Sequence, residues 1–357
     1  MNEANSIRER LWNEDEAVRA MAAEDAGYDD LFEAIAPLCE RLPLEPSRSM
    51  RQTIMTALQR MTHKEVIEQA LSLLSNEDVF VRNSAVALLQ SRGIAALGGL
   101  AHYLGNADAD IRKLVLDSLS AIGGDAAEQL LARGLEDTDI NVEIAAIEYL
   151  GERGSVRQVP AVAALFQSAQ EPMLLAAAAA ALSVLGGHDS WQAVVSRFPT
   201  FKLVPAYLLG SWLNLLACYG DRSLEELLEI APQLPPTLAG ECADALSALQ
   251  NRLGVHTVAG AAFEQLHALI EAAPDGTTKF RLLKWSGALH SHPAVLTLLL
   301  PYLNSSDTLL RHGAVLGLLR TGQAEVPELL GHHLTQESDQ DIRDSIESGL
   351  ALYKRQP

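Results

Sequence analysis

Aromatic residues are scarce in this sequence: Phe, Tyr and Trp together supply 5% of 357 residues. An interior cannot be built around rings on that allowance. The 48% hydrophobic share is carried by Ala and Leu, a composition that favours helices because both lose little on entering one. Cysteine is nearly missing. Cys39, Cys218 and Cys242 are odd in number and form no Cys-x-x-Cys pair, which argues against a disulfide framework or structural zinc. Reduced thiols, and with them a cytoplasmic location, are the expectation. Basic residues are outnumbered, 27 against 46 acids, for a net charge of −19. Nucleic acids and anionic membranes want clustered Lys and Arg, so neither is expected as a partner. The most apolar run, "MLLAAAAAALSVL" (173–185), is too short to span a bilayer, and "MNEANSIRER" lacks the apolar core of a signal peptide. There is no Gly-rich phosphate loop, nucleophile elbow or His-Glu-x-x-His motif. The expectation is a protein that is not an enzyme, with no catalytic residues, no metal and no cofactor.

What the sequence has is a repeat. "NEDVFVRNSAVALLQSRG" (76–93), "NADADIRKLVLDSLSAIGG" (106–124) and "NSSDTLLRHGAVLGLLRTG" (304–322) share one cadence. An aliphatic anchor recurs every 30–38 residues, at Val18, Met50, Val81, Ile111, Val142, Leu174, Leu208, Cys242, Phe280, Leu310 and Ile342. Three residues before it stands Asp15, Asp78, Asp108, Asp139, Asp307 or Asp339, with Ser47 and Thr277 in the same slot elsewhere. These residue types cap helix N-termini by accepting from free backbone N–H groups. Four residues after the anchor Ala recurs (22, 85, 146, 178, 314), eight after it Leu, and twelve after it Gly (93, 123, 154, 186, 220, 254, 322). Offsets 0, +4 and +8 share a helical face, small residues let a neighbouring helix approach, and Gly suits a helix stop. Between one stop and the next cap there is room for a second helix, as in "VPAVAALFQS" (159–168) or "VPELLGHHLT" (326–335). The unit is a helical hairpin that cannot bury its apolar stripe alone, so successive units must stack.

This pattern resembles HEAT repeats, particularly the short bacterial type named after phycobilisome lyases. It rests on the Asp turn, the Ala/Leu core, the closing Gly, and the Arg that follows the anchor at 19, 51, 82, 112, 281, 311 and 343. The resemblance implies an all-α solenoid (superhelix) of about eleven hairpins in which the Asp and Arg form a ladder between repeats, with second helices lining a concave groove. It further implies a non-catalytic protein–protein interaction scaffold or adaptor. A bilin-lyase-like or other enzyme-associated module holding a substrate protein or chromophore is an alternative, as is an inhibitor or immunity-type partner of one protein. Deoxyhypusine hydroxylases of this architecture use His-Glu dipeptides, which are missing here. The alkylpurine DNA glycosylases of similar architecture are basic, and this chain is acidic.

The repeat is regular over 1–190, diverged with longer linkers over 191–303, and regular again over 304–357, within one continuous solenoid. In the diverged part Trp212, Leu246 and Lys284 replace Ala at +4. Trp212 fills a wider gap; at Lys284 either the register slips or the ammonium snorkels to solvent. Offsets +2, +6 and +9 point away from the core. They are polar early (Asn83, Lys113), small in the middle (Gly210, Asn214, Ala217), and carry leucines late: Leu282, Ser286 and Leu289, then His312, Leu316 and Leu319. Beside them lie Lys279, Lys284 and Arg320, a basic patch on an acidic chain. Unless the late repeats bury these leucines against one another, Asn214, Leu282, Ser286, Leu289, His312, Leu316 and Leu319 are the candidate surface for a partner segment, amphipathic or acidic. The chain is then a monomer or one half of a hetero-complex.

Overall fold

The computed structural model describes residues 3–153 and 155–353. Among them there are helices and turns and no strand, and the fold is an all-α solenoid. Eleven helical pairs follow one another. Their second helices are Glu16–Tyr28, Arg48–Arg60, Val79–Arg92, Ala109–Ile122, Ile140–Arg153, Pro172–Leu185, Leu209–Tyr219, Ala239–Leu253, Gly276–Ser286, Thr308–Thr321 and Gln340–Tyr353, and they number repeats 1 to 11. The chain divides into two compact units, Met1–Ala181 and Leu182–Pro357. Within the continuous helical stretch Val79–Tyr103 an 18-residue window has a mean hydropathy of 1.2, but the stretch is two helices joined by a 3₁₀ turn, and Val81, Leu88, Leu89 and Leu100 point into the core.

The caps form as their chemistry requires. The carboxylates of Asp15, Asp78, Asp108, Asp139, Asp307 and Asp339 each accept a backbone N–H of the first turn, at 2.8–3.2 Å. Ser47 accepts from Met50 N at 3.3 Å. At the far ends, Gly254 and Gly322 sit in the left-handed region that a side chain would disfavour. Gly220 does not, with φ at −68°, and Gly154 lies outside the described residues.

The arginine after the anchor ties repeats together. Arg112 donates from Nη1 to the carbonyls of Asn106 and Ala107 in its own turn, and from Nε and Nη2 to Asp137 in the next turn, at 2.8 and 2.7 Å. Arg19 does the same with Asn13, Glu14 and Glu45, and Arg311 with Ser305, Ser306 and Glu337. Glu45, Asp137 and Glu337 each stand two residues before a cap and also accept the N–H of the capping residue. Where that position is Asn76, Arg51 reaches the cap Asp78 itself at 2.8 Å. Desolvation would raise the Glu45 carboxyl, yet the hydrogen bonds from Arg19, Ser47 N–H and Arg41 outweigh it and hold the group below its ordinary range. Such a pair sets the turn-to-turn register more than it adds net stability.

Small residues mark the close approaches. A Cβ on Gly134 would stand 2.8 Å from Ala146 Cβ, so the Ala at +4 is where the end of the first helix rests. Gly27 against Ala57 and Gly151 against Ala181 repeat another approach between second helices, from offset +9 to offset +7. Ala85 is fully buried at +4. Ala85→Trp should therefore overpack repeat 3 and cost about 1–3 kcal/mol or more, read as a lower urea midpoint. An unchanged midpoint would mean that Ala85 faces a space.

Repeat 9 corrects the expected register. Its helix starts at Gly276 under an Asp275 cap, whose carboxylate takes Thr278 N at 2.8 Å, and Thr277 caps nothing. Thr278, buried, occupies the anchor position in place of Phe280. Lys279 then holds the ladder position, while Arg281 leaves the ladder and pairs with Asp244 at 2.8 Å. Lys284 is exposed because the slip moves it to offset +6. Trp212 is buried in the second unit against Trp191 and Phe201, with centroids 6.0 and 5.8 Å away, and fills the space left by the longer linker.

Candidate functional site

With anchors, +4 and +8 committed to packing, exposed residues gather on the side of most second helices at +2, +6 and +10. In the first unit this face carries Glu24 and Tyr28 on repeat 1, Asn83 on repeat 3, Lys113 on repeat 4, and Glu148 and Glu152 on repeat 5, all exposed. In the second unit the face dips between repeats 7 and 8. Gly210, Leu213, Asn214 and Ala217 oppose Glu241, Asp244, Ala245 and Ala248 across a groove of about 250 Å³. Three alanines and a glycine keep its walls low. Asn214 is exposed on its rim and held by its amide, which donates to Ser183 Oγ at 2.7 Å. Asp244 pairs with Arg281 at 2.8 Å, whereas Glu241 is exposed with no partner among the hydrogen bonds and ion pairs of the described residues.

The late leucine stripe is different from the expectation. Leu282, Ser286 and Leu289 are buried, at 1%, 0% and 0% exposure, so they are core and not surface. The reason is the two-residue slip in repeat 9: the stripe offsets counted from Phe280 fall on the packing face counted from Thr278. Ser286 satisfies its hydroxyl on the Leu282 carbonyl at 2.7 Å. His312, Leu316 and Leu319 are half-buried. His312 Nε2 meets Ser345 Oγ at 3.0 Å, and Leu319 lies over Gly349 of repeat 11. The basic patch loses a member too. Arg320 is exposed but donates to Asn251 Oδ1 at 3.1 Å and Gln250 Oε1 at 3.4 Å, leaving the half-buried Lys279 and the exposed Lys284.

Chemically reactive groups do not gather. Cys39 and Cys242 are buried, and burial pushes each thiol up to about 12, away from thiolate chemistry. Among the described residues no group of three or more His, Cys, Asp or Glu side chains is placed to hold a metal ion. His333 is buried against Glu337 at 3.2 Å, with its neighbour His332 turned to solvent.

A family model described as HEAT repeats matches residues 97–183, covering repeats 4 and 5 and most of repeat 6. The same turn, cap and arginine ladder recur on either side of that match. Residues 97–183 match HEAT repeats, and the repeats on either side share their pattern. No curated protein matches the chain. Among solved structures, Kap95p bound to RanGDP aligns at TM-score 0.61 and 11% identity over 98% of this chain and 56% of its own. Kap121p bound to the SUMO protease Ulp1p aligns at 0.56 and 12%, over 98% and 45%. This chain thus spans about half the length of either karyopherin, and the likeness is one of fold. Human deoxyhypusine hydroxylase, at 16% identity over 76% of this chain and 98% of its own, has a TM-score of 0.32.

Two features of these repeats escaped the sequence reading. The turn acids Glu45, Asp137 and Glu337 had a signal, an acid two residues before a cap, but it is confined to turns whose preceding repeat offers a free guanidinium edge. A second row of arginines closes the opposite helix ends. Arg252 donates to the carbonyls of Ala217 and Gly220 at 2.9 and 2.6 Å, and Arg92 donates to that of Leu58. These carbonyls are orphans of a helix terminus, where a cation is favoured.

Proposed function

We propose that this chain is a non-catalytic protein-interaction scaffold that holds an amphipathic segment of one partner protein on the free face of its second helices, centred on the groove between repeats 7 and 8. The groove itself supports this reading best. A helix with small apolar residues could lay that side over the half-buried Gly210 and Ala248, with basic residues reaching the exposed Glu241 and Asp244 on the rim. The Asp244–Arg281 pair is exposed, and such pairs are worth roughly 0–1 kcal/mol, so a partner cation could displace Arg281 at little cost. This changes the expected partner charge on this face from acidic to basic. Kap95p and Kap121p hold proteins in the structures named above. Their likeness to this chain is one of fold, and protein binding comes over from them as part of the proposal.

Gly210 makes the test clean, because a Cβ there meets nothing within 4 Å. Gly210→Trp should fill the groove without disturbing the core. The full chain captures its partner from an extract of its host, the partner is identified by mass spectrometry, and binding is measured with purified components. Gly210→Trp should weaken binding at least about tenfold, or about 1.4 kcal/mol. Asn83→Glu and Lys113→Glu, on the other unit, should leave it unchanged. Equal affinity for Gly210→Trp and the parent chain would remove the groove from the binding site.

A further inference from the structure

Three histidines of the second unit meet where the ends of repeats 8, 9 and 10 are tied together. The turn after the Ala239–Leu253 helix is pinned by Gln250, which is buried and donates from Nε2 to Val255 O at 2.8 Å. The next residue, His256, accepts Ser291 N on its carbonyl at 3.0 Å, and its Nδ1 lies 3.3 Å from Ala288 O. A carbonyl can only accept, so that nitrogen carries the proton. The His256 ring stacks on His290, with centroids 4.4 Å apart and planes 26° from parallel. The His290 carbonyl in turn accepts from Gln323 Nε2 of the following turn at 3.0 Å. His292 stacks on Phe263, 3.8 Å apart and 7° from parallel, while its Nδ1 accepts Ala294 N at 3.2 Å. That nitrogen must be bare for the bond to exist.

We propose that His256, His290 and His292 form a pH-sensitive latch between successive repeat ends, closed while the imidazoles are neutral and loosened by acid. Two consequences of protonation carry it. A second charge in the His256–His290 stack sets like charges face to face at 4.4 Å. A proton on His292 Nδ1 removes the acceptor that holds Ala294 N. The surroundings offer no compensation. Among the described residues no carboxylate pairs with any of the three rings. Glu264 and His267 line a depression with Phe263 and Ala294, and neither forms a hydrogen bond or ion pair with the three rings among the described residues. Arg252 is spent on the carbonyls of repeat 7, Arg320 on Gln250 and Asn251, and Gln323 is neutral. Burial, and then the charge of His256, holds His290 below its ordinary value of 6.5. A depressed base contributes stability that is complete above that ordinary value and is lost as pH falls through it.

Hydrogen exchange of the full chain tests the latch. Between about pH 7.5 and pH 5.5, after correction for the intrinsic rate, protection at residues 255–259 and 288–294 should fall by up to about tenfold per pH unit for each linked proton. Amides of the helix Ile140–Arg153, in the other unit and without a histidine, should not change. His290→Phe keeps a stacking ring that cannot charge and should blunt the fall. The latch is overturned if the wild-type chain shows no extra loss at those residues, or if His290→Phe retains the wild-type response. The first of these measurements needs no variant, so a poorly folding substitution does not shield the idea.

Discussion

Glu337→Gln should lower the stability of the last repeat by about 3 kcal/mol at neutral pH, with the helix Gln340–Tyr353 losing protection first. Glu337 takes Arg311 Nε and Nη2 at 2.8 and 3.0 Å, and the N–H groups of Ser338 and Asp339 at 2.9 Å, while 6% exposed. The amide would leave the Arg311 guanidinium, largely out of water, without its paired carboxylate. The hydrogen bonds from Arg311 outweigh the opposing burial and bring this carboxyl down from 4.5 to about 2. That gap corresponds to about 3 kcal/mol. Its sign is that of a depressed acid: the contribution is complete above about 4.5 and disappears as pH falls toward about 2. Urea midpoints of the parent chain and the variant should therefore lie far apart at pH 7 and converge in strong acid. Coincident midpoints at pH 7 would show that the ladder carries no stability at this rung.

Gly317→Val should be at least as damaging, about 3 kcal/mol or more, because the helices Gly276–Ser286 and Thr308–Thr321 touch backbone to backbone. A Cβ at Gly317 would lie 2.5 Å from the Leu283 carbonyl oxygen, and one at Gly313 3.1 Å from Phe280 Cα. Across the same contact a Cβ at Gly287 would collide with the Gly317 carbonyl. Backbone cannot step aside as a flexible side chain can, so the helices must part. Thermal unfolding should report a clearly lower midpoint for Gly317→Val and a smaller loss for Gly331→Val, since a Cβ at Gly331 meets nothing within 4 Å. Equal losses at the two sites would make the effect one of helix propensity alone.

The repeat was legible because each of its signals is local. An Asp three residues before an aliphatic anchor caps a helix wherever it stands, and Ala, Leu and Gly at +4, +8 and +12 mark a face and a stop without reference to any neighbour. The same locality explains the failure in repeat 9. Asp275 and Thr277 are both competent caps, two residues apart, and which one starts the helix depends on which of Thr278 or Phe280 the adjoining helices accept in their core. The choice reversed the meaning of Leu282, Ser286 and Leu289, three of the seven residues of the expected partner surface.

Composition and spacing by themselves determined the helical hairpin, its number of copies, most of its caps and the arginine that follows many of its anchors, because these depend on residues within one or two turns of each other. Only the tertiary structure decided which acid each arginine meets, where glycines bring two backbones into contact, that the groove lies between repeats 7 and 8, and that three histidines from two loops share one joint. Each of those is a relation between repeats some thirty residues apart, set by how one hairpin seats on the next, and a one-dimensional pattern carries no record of that seating.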